Sequence, residues 1–156
     1  MNSVNLLPGT GYDRSSGEPR CSADPAAKGG DRILQKRILL VDDERFVREA
    51  IGRLLAKDEH TVVEANNGAE AFALFARSRF DLVVTDFELP FVKGNELAGR
   101  IKRVAPAQPI LMITGHGKRA GPDNPVDAVL NKPVDLDQLR MAIAKLLPEA
   151  GAGFTA

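Results

Sequence analysis

The chain of 156 residues is long enough for one domain with a proper core, and its apolar fraction of 44% is ordinary for a soluble globular protein. Its 21 basic and 21 acidic side chains give a net charge of zero. The chain therefore lacks the basic excess that would indicate binding to nucleic acid or to an anionic membrane. The single cysteine, Cys21, cannot form an internal disulfide, and no apolar stretch approaches the roughly 20 residues of a membrane span, so a cytoplasmic protein is expected.

Residues 1–34 differ in composition from the rest of the chain. They are rich in Gly, Pro, Ser, Asp and Ala and show no sustained periodicity. Such a segment buries too little apolar surface to offset the entropy of ordering it. We therefore predict a flexible N-terminal tail over 1–34, one folded domain over 35–150 and a short C-terminal tail over 151–156.

Five short runs rich in Val, Ile and Leu alternate with segments of helical periodicity. Runs this short, bounded by Gly, Pro or Asp, are typical of buried parallel strands. The predicted strands are 37–43, 60–65, 80–86, 109–115 and 127–133, and the predicted helices are 44–58, 69–77, 94–104 and 136–147. Five strands with intervening helices predict an α/β protein with a doubly wound parallel sheet, in which right-handed crossovers place helices on both faces.

The helical segments carry apolar residues at the spacing of a buried stripe. In the first helix the predicted stripe is Phe46, Val47, Ala50, Ile51, Leu54 and Leu55. In the second helix it is Ala69, Phe72, Ala73, Phe75 and Ala76. Asn66–Gly68 is predicted to cap the second helix, and Asp135 is predicted to cap the last.

Polar residues stand where four of the predicted strands end. In an open parallel sheet the carboxyl ends of the strands lie along one edge, and ligands bind there. The residues that this edge would gather are Asp42, Asp43, Asp86, Thr114 and Lys132. Three carboxylates, one hydroxyl and one ammonium on one rim indicate a divalent metal next to a phosphoryl group.

Each of these residues also has an ordinary interpretation when it is taken alone. Asp42 and Asp43 could begin a helix and interact with its dipole, and Asp86 could be a turn residue. Thr114 could be a simple β-former, and Lys132 could be solvated. The chemical interpretation is favoured because the residues agree with one another. A hard cation such as Mg²⁺ neutralises adjacent carboxylates, a strand-end carboxylate can attack phosphorus, and an ammonium suits a phosphoryl oxygen.

The strand ends carry Asp-Asp, then Asp-Phe-Glu-Leu-Pro, then Thr-Gly, then Lys-Pro, in this order along the chain. This ordered set resembles a bacterial response-regulator receiver domain, over about residues 35–148. The resemblance implies a flavodoxin-like sheet of five parallel strands in the order 2-1-3-4-5.

The resemblance also implies a role for each strand-end residue. Asp86 would be the phosphoacceptor, Thr114 the switch hydroxyl and Lys132 the partner of the phosphoryl group. The implied ligands of Mg²⁺ are Asp42, Asp43, Asp86 and the backbone carbonyl of Glu88. The phosphoryl group would come from a sensor histidine kinase or a histidine phosphotransfer protein and would leave by slow hydrolysis. The output would pass to a downstream protein target, with no contact to nucleic acid or membrane.

The segment between Thr114 and Lys132 departs from the family pattern. It is shorter, and three glycines and two prolines within 115–125 argue against a stable helix. The fourth helix, which most receivers place here, is therefore expected to be shortened or missing. Val129 stands where the family usually has an aromatic residue, so the usual coupling between that ring and Thr114 is expected to be absent.

Two other functions fit parts of the pattern. A phosphatase of the haloacid-dehalogenase type also uses a strand-end Asp and Mg²⁺, but its nucleophile follows the first strand, whereas Asp86 follows the third. A pseudo-receiver would have the fold without the phosphorylation, but the complete set of site residues counts against it. The expected protein is therefore not an enzyme beyond its own phosphorylation and dephosphorylation.

Overall fold

The computed structural model describes residues 35–115 and 123–147, and these residues form five strands and four helices. The strands are β1 (Arg37–Val41), β2 (Thr61–Ala65), β3 (Leu82–Asp86), β4 (Ile110–Thr114) and β5 (Ala128–Asn131). The helices are α1 (Arg45–Lys57), α2 (Gly68–Arg77), α3 (Gly94–Val104) and α4 (Leu136–Leu146). All paired strands are parallel, and their order is β2-β1-β3-β4-β5. The predicted doubly wound sheet and its strand order are confirmed.

Apolar side chains cover both faces of the sheet. Successive residues of a strand point to opposite faces. In β1, Leu39 and Val41 join a cluster that includes buried residues of α2 and α3. Ile38 and Leu40 join a second cluster with buried residues of α1 and α4. Because both faces are covered, the central strands are apolar almost throughout, which is why they appear in the sequence as continuous apolar runs.

Both predicted helix caps are present. The Asn67 side chain accepts a hydrogen bond from the Glu70 backbone N–H at 2.7 Å. Asp135 accepts from the Gln138 backbone N–H, and the Gln138 side chain accepts from the Asp135 N–H, which completes a capping box. These contacts fix where α2 and α4 begin, so the chain leaves β2 and β5 at defined points.

The predicted buried stripes of the first two helices are partly wrong. Phe46 is 81% exposed and Ala50 is exposed, so α1 buries only the narrower face around Ile51 and Leu55. In α2, Ala71 is the fully buried side chain, and the predicted stripe did not include it. Three members of the predicted stripe, Ala69, Ala73 and Ala76, are exposed instead. When most positions of a helix are apolar, several neighbouring stripes fit the helical period, and only packing against the sheet selects one.

Some predictions concern residues outside the described ranges. They are the two tails, 1–34 and 151–156, and most of the segment between β4 and β5, since 116–122 is not described. Of that segment, residues 123–127 are described and form no helix. Val126 packs against the cluster that contains α3. Val129 lies half-buried in β5 and pairs with Met112 of β4.

A two-point ion pair joins the end of α1 to α4. Arg140 donates from Nε to Asp58 Oδ2 at 2.8 Å and from Nη2 to Oδ1 at 2.6 Å. The Asp58 side chain is only 12% exposed. The hydrogen bond from Arg140 lowers the pKa of the Asp58 carboxyl below its usual value, although burial acts in the opposite direction.

We expect Arg140→Met to lower the melting temperature by a few degrees near pH 7. Because the folded-state pKa of Asp58 is lowered, the pair stabilises the fold above the unfolded pKa of about 3.9, and this stabilisation is lost as the pH falls through the folded-state pKa. The difference in melting temperature between wild type and variant should therefore shrink on acidification. Arg53→Met is the control, because Arg53 is 81% exposed and lies 3.9 Å from Glu49. A loss that stays constant with pH would contradict this account.

Candidate functional site

Three carboxylates meet at the carboxyl edge of the sheet. Asp42 and Asp43 follow β1, and Asp86 is the last residue of β3, the neighbour of β1. One carboxylate oxygen from each residue lies within 4.8 Å of the other two. Asp42 and Asp86 are 2% and 6% exposed, whereas Asp43 is exposed. The predicted cluster of acidic groups is therefore present, and two of its members are held away from water.

Lys132 places a positive charge among these carboxylates. It follows β5, the peptide bond to Pro133 is cis, and its backbone N–H donates to the Thr114 carbonyl at 3.0 Å. Its Nζ lies 3.1 Å from Asp42 Oδ2 and 3.3 Å from Asp86 Oδ2. Lys132 is thus the direct partner of both buried carboxylates, although it comes from the far edge of the sheet.

Burial and charge act against each other in this cluster. Burial raises the pKa of the Asp86 carboxyl, and Asp42 adds to the rise, while Lys132 and the backbone N–H of Glu88 oppose it. Burial by itself would lower the pKa of Lys132, but the hydrogen bonds and charges of Asp42 and Asp86 outweigh burial and raise it. Lys132 therefore stays charged, but one ammonium cannot neutralise three carboxylates.

The donor set fits a divalent metal ion. Carboxylate oxygens are hard ligands of the kind that Mg²⁺ prefers, and the three available ones are close enough to share one ion. The residues that could hold it are Asp42, Asp43 and Asp86. Glu88 lies two residues beyond Asp86, and its side chain pairs with Lys93 at 3.2 Å. The role of its backbone carbonyl as a metal ligand stays a prediction.

Thr114 lies at the same edge as Asp86. It is the last residue of β4 and is fully buried. In the register of β3 and β4, Asp86 pairs with Ile113, so Thr114 stands one residue further along the neighbouring strand. Every strand-end residue predicted from the sequence is therefore found at the carboxyl edge of the sheet.

Sequence reasoning missed Gly94, which controls how closely α3 approaches the site. A Cβ atom added at Gly94 would lie 2.0 Å from the backbone oxygen of Asp86. The Gly94 N–H donates to the Phe87 carbonyl at 2.9 Å. The start of α3 thus packs directly against the backbone that presents Asp86. A glycine at the first position of a predicted helix, where other residues have better helix propensity, was the available signal.

Gly94→Ala should lower the free energy of unfolding by about 1–3 kcal/mol, because the added methyl group meets backbone atoms that cannot rotate away. Gly99→Ala in the same helix is the matched control. Its Cβ would have no neighbour closer than 3.9 Å, so the substitution should stabilise the fold by about 0.5–1 kcal/mol. Chemical denaturation of the two variants measures both values. Equal effects of the two substitutions would rule out a special role for Gly94.

A family model described as the response regulator receiver domain matches residues 38–144. The chain therefore belongs to the response regulator receiver domain family. This membership and the five-stranded parallel sheet confirm the predicted family and fold, and they do not favour the haloacid-dehalogenase-type phosphatase.

Two similar proteins are regulators that are longer than the matched region. The transcriptional regulatory protein GlrR of Escherichia coli K12 is 33% identical over 117 residues, which are 72% of this chain and 26% of GlrR. The response regulator MprA of Mycolicibacterium vanbaalenii is 36% identical over 128 residues, which are 77% of this chain and 55% of MprA. The matched region thus spans about a quarter to about half the length of these curated relatives.

Solved structures of similar proteins share the fold. The response regulator TrrA from Thermotoga maritima, in complex with Mg²⁺-BeF, is 32% identical with a TM-score of 0.69, and the match covers 72% of this chain and all of that one. The chemotaxis response regulator CheY4 of Vibrio cholerae is 26% identical with a TM-score of 0.67, over 73% of this chain and 100% of that chain. Within 35–115 and 123–147, none of the helices has the length and apolarity needed to cross a membrane.

Proposed function

We propose that this receiver domain accepts a phosphoryl group on Asp86 and passes on a signal through protein contacts. The observation that carries the proposal is the position of Asp86. It is a buried carboxylate at the end of a rigid strand, in contact with Lys132 at 3.3 Å and next to two further carboxylates. This arrangement combines a nucleophile, a cation for the phosphoryl oxygens and a set of metal ligands.

The proposed donor is a phosphohistidine of a sensor histidine kinase or a histidine phosphotransfer protein. A carboxylate oxygen of Asp86 attacks phosphorus, the P–N bond to the donor histidine breaks, and its electron pair stays on the imidazole nitrogen. Lys132 already lies beside Asp86 Oδ2, so its ammonium is positioned to pair with a phosphoryl oxygen. The Glu88 backbone N–H hydrogen-bonds the Asp86 carboxylate and helps to orient it.

The metal part of the proposal assigns Mg²⁺ to Asp42, Asp43, Asp86 and the backbone carbonyl of Glu88. When bound, the ion supplies positive charge that offsets both the carboxylates and the incoming phosphoryl group. The net negative charge of the site and the TrrA complex with Mg²⁺-BeF support this assignment.

The proposed switch is the hydroxyl of Thr114, which would donate a hydrogen bond to a phosphoryl oxygen. Thr114 and Lys132 are linked by a backbone hydrogen bond of 3.0 Å, which holds the ends of β4 and β5 side by side. The signal would then reach a downstream protein in the cytoplasm. The chain would turn over no substrate other than its own aspartyl phosphate, and neither nucleic acid nor membrane enters the proposal.

Incubation with acetyl phosphate and Mg²⁺ should add one phosphoryl group, and Asp86→Asn should abolish this addition because the nucleophilic oxygen is replaced by an amide. Intact-protein mass spectrometry measures the product. Asp137→Asn is the control, since Asp137 is exposed in the first turn of α4 and should leave labelling unchanged.

Any of three results would contradict the proposal. Full labelling of Asp86→Asn would move the acceptor elsewhere, and failure of the wild type to label would favour the pseudo-receiver. Sustained release of inorganic phosphate from small phosphate esters would instead favour the phosphatase.

Mg²⁺ should raise the melting temperature, because a ligand that binds only the folded state stabilises it by mass action, by about 2.7 kcal/mol at one hundred times its Kd. Asp43→Ala should reduce this rise strongly, since it removes the exposed member of the carboxylate cluster. Asp137→Ala, a change at the same control position as before, should leave the rise unchanged. An unchanged rise in Asp43→Ala would place the ion outside this cluster.

A further inference from the structure

Arg48 links the metal-binding carboxylates to a neighbouring strand. It lies in α1, and its side chain is only 16% exposed. Its Nη1 donates to the backbone carbonyl of Asp42 at 2.8 Å, and its Nε donates to Glu64 Oε2 at 2.7 Å. One guanidinium therefore holds together α1, the end of β1 and the edge strand β2.

The carbonyl that Arg48 holds belongs to the peptide between Asp42 and Asp43. The other polar groups of Asp42 also have partners. Its N–H donates to the Ala65 carbonyl at 3.2 Å, Oδ1 accepts from the Glu44 N–H at 2.8 Å, and Oδ2 accepts from Lys132. Since Asp43 follows the same peptide plane, the orientation of that plane affects the directions of both side chains.

We propose that Arg48 is a positioning residue for the divalent metal: it orients the peptide between Asp42 and Asp43 and thereby sets the affinity of the site. Glu64 in turn orients the guanidinium. This inference rests on the proposed function, because it concerns the same metal site. Partners that orient the ligands of a metal typically change its affinity by about 10–100-fold when they are removed.

Positioning and charge predict opposite results at this site. A guanidinium close to the carboxylates repels a cation, so charge alone would make Mg²⁺ bind more tightly when Arg48 is removed. The ion pair with Glu64 offsets much of that repulsion. Loss of the hydrogen bond to Asp42 frees the peptide and weakens binding. The direction of the change in Kd therefore distinguishes the two effects.

The experiment is a calorimetric titration of the full chain with Mg²⁺. We expect Arg48→Ala to raise the Kd about tenfold. Arg48→Lys should raise it less but measurably, because a single ammonium keeps the charge and cannot reproduce the two-armed contact. Glu64→Ala should also weaken binding, and its effect should not add to that of Arg48→Ala, because the two residues act as one unit. Arg53→Ala, an exposed arginine of the same helix, should leave the Kd unchanged.

A purely structural role for Arg48 would lower the melting temperature of the metal-free protein and leave the Kd of the folded protein unchanged. That result, or a tighter Kd, would overturn the inference while wild-type binding and labelling of Asp86 left the proposed function intact. A wild type that binds no Mg²⁺ would overturn both this inference and the metal part of the proposed function. If Arg48→Ala does not fold, Arg48→Lys provides the same test, because it keeps the positive charge and removes the two-armed contact.

Discussion

Two buried carboxylates share one ammonium, and the rest of the site depends on that balance. Asp42 and Asp86 lose most of their hydration at the ends of adjacent strands, and Lys132 contacts both. A buried charge without a partner is costly, so the contacts with Lys132 offset part of the cost of burying the two carboxylates. The negative charge still exceeds the positive charge, because Asp43 adds a third carboxylate beside Asp42 and Asp86. An excess of negative charge favours the binding of a cation at this edge of the sheet.

The surrounding structure keeps this balance in one geometry. β1 and β3 fix the two aspartates from a sheet that is packed on both faces. α3 approaches the backbone of Asp86 so closely that any side chain at position 94 would meet backbone atoms. Without these contacts, a cluster of like charges would spread apart.

The relatives differ in how far they extend beyond the region that matches this chain. GlrR and MprA extend well beyond the region that matches this chain, whereas the match covers all of TrrA and CheY4. The receiver fold therefore occurs both within longer chains and as nearly a whole chain, and the fold alone does not determine the function of the protein that contains it.

The sequence by itself determined the sheet, its strands and the residues along its carboxyl edge. Short apolar runs that end on Asp42, Asp86, Thr114 and Lys132 can be recognised locally in the sequence. Because the carboxyl ends of parallel strands lie along one edge of a sheet, these residues are predicted to lie close together. Helix bounds followed from apolar period and from caps such as Asn67 and Asp135, with errors of at most one residue at either end. Only the tertiary structure decided which helix face is buried, since Phe46 fits the helical period and yet lies in solvent. It also decided the contacts of Gly94 and Arg48, because each depends on a distance between elements that no local pattern of residues encodes.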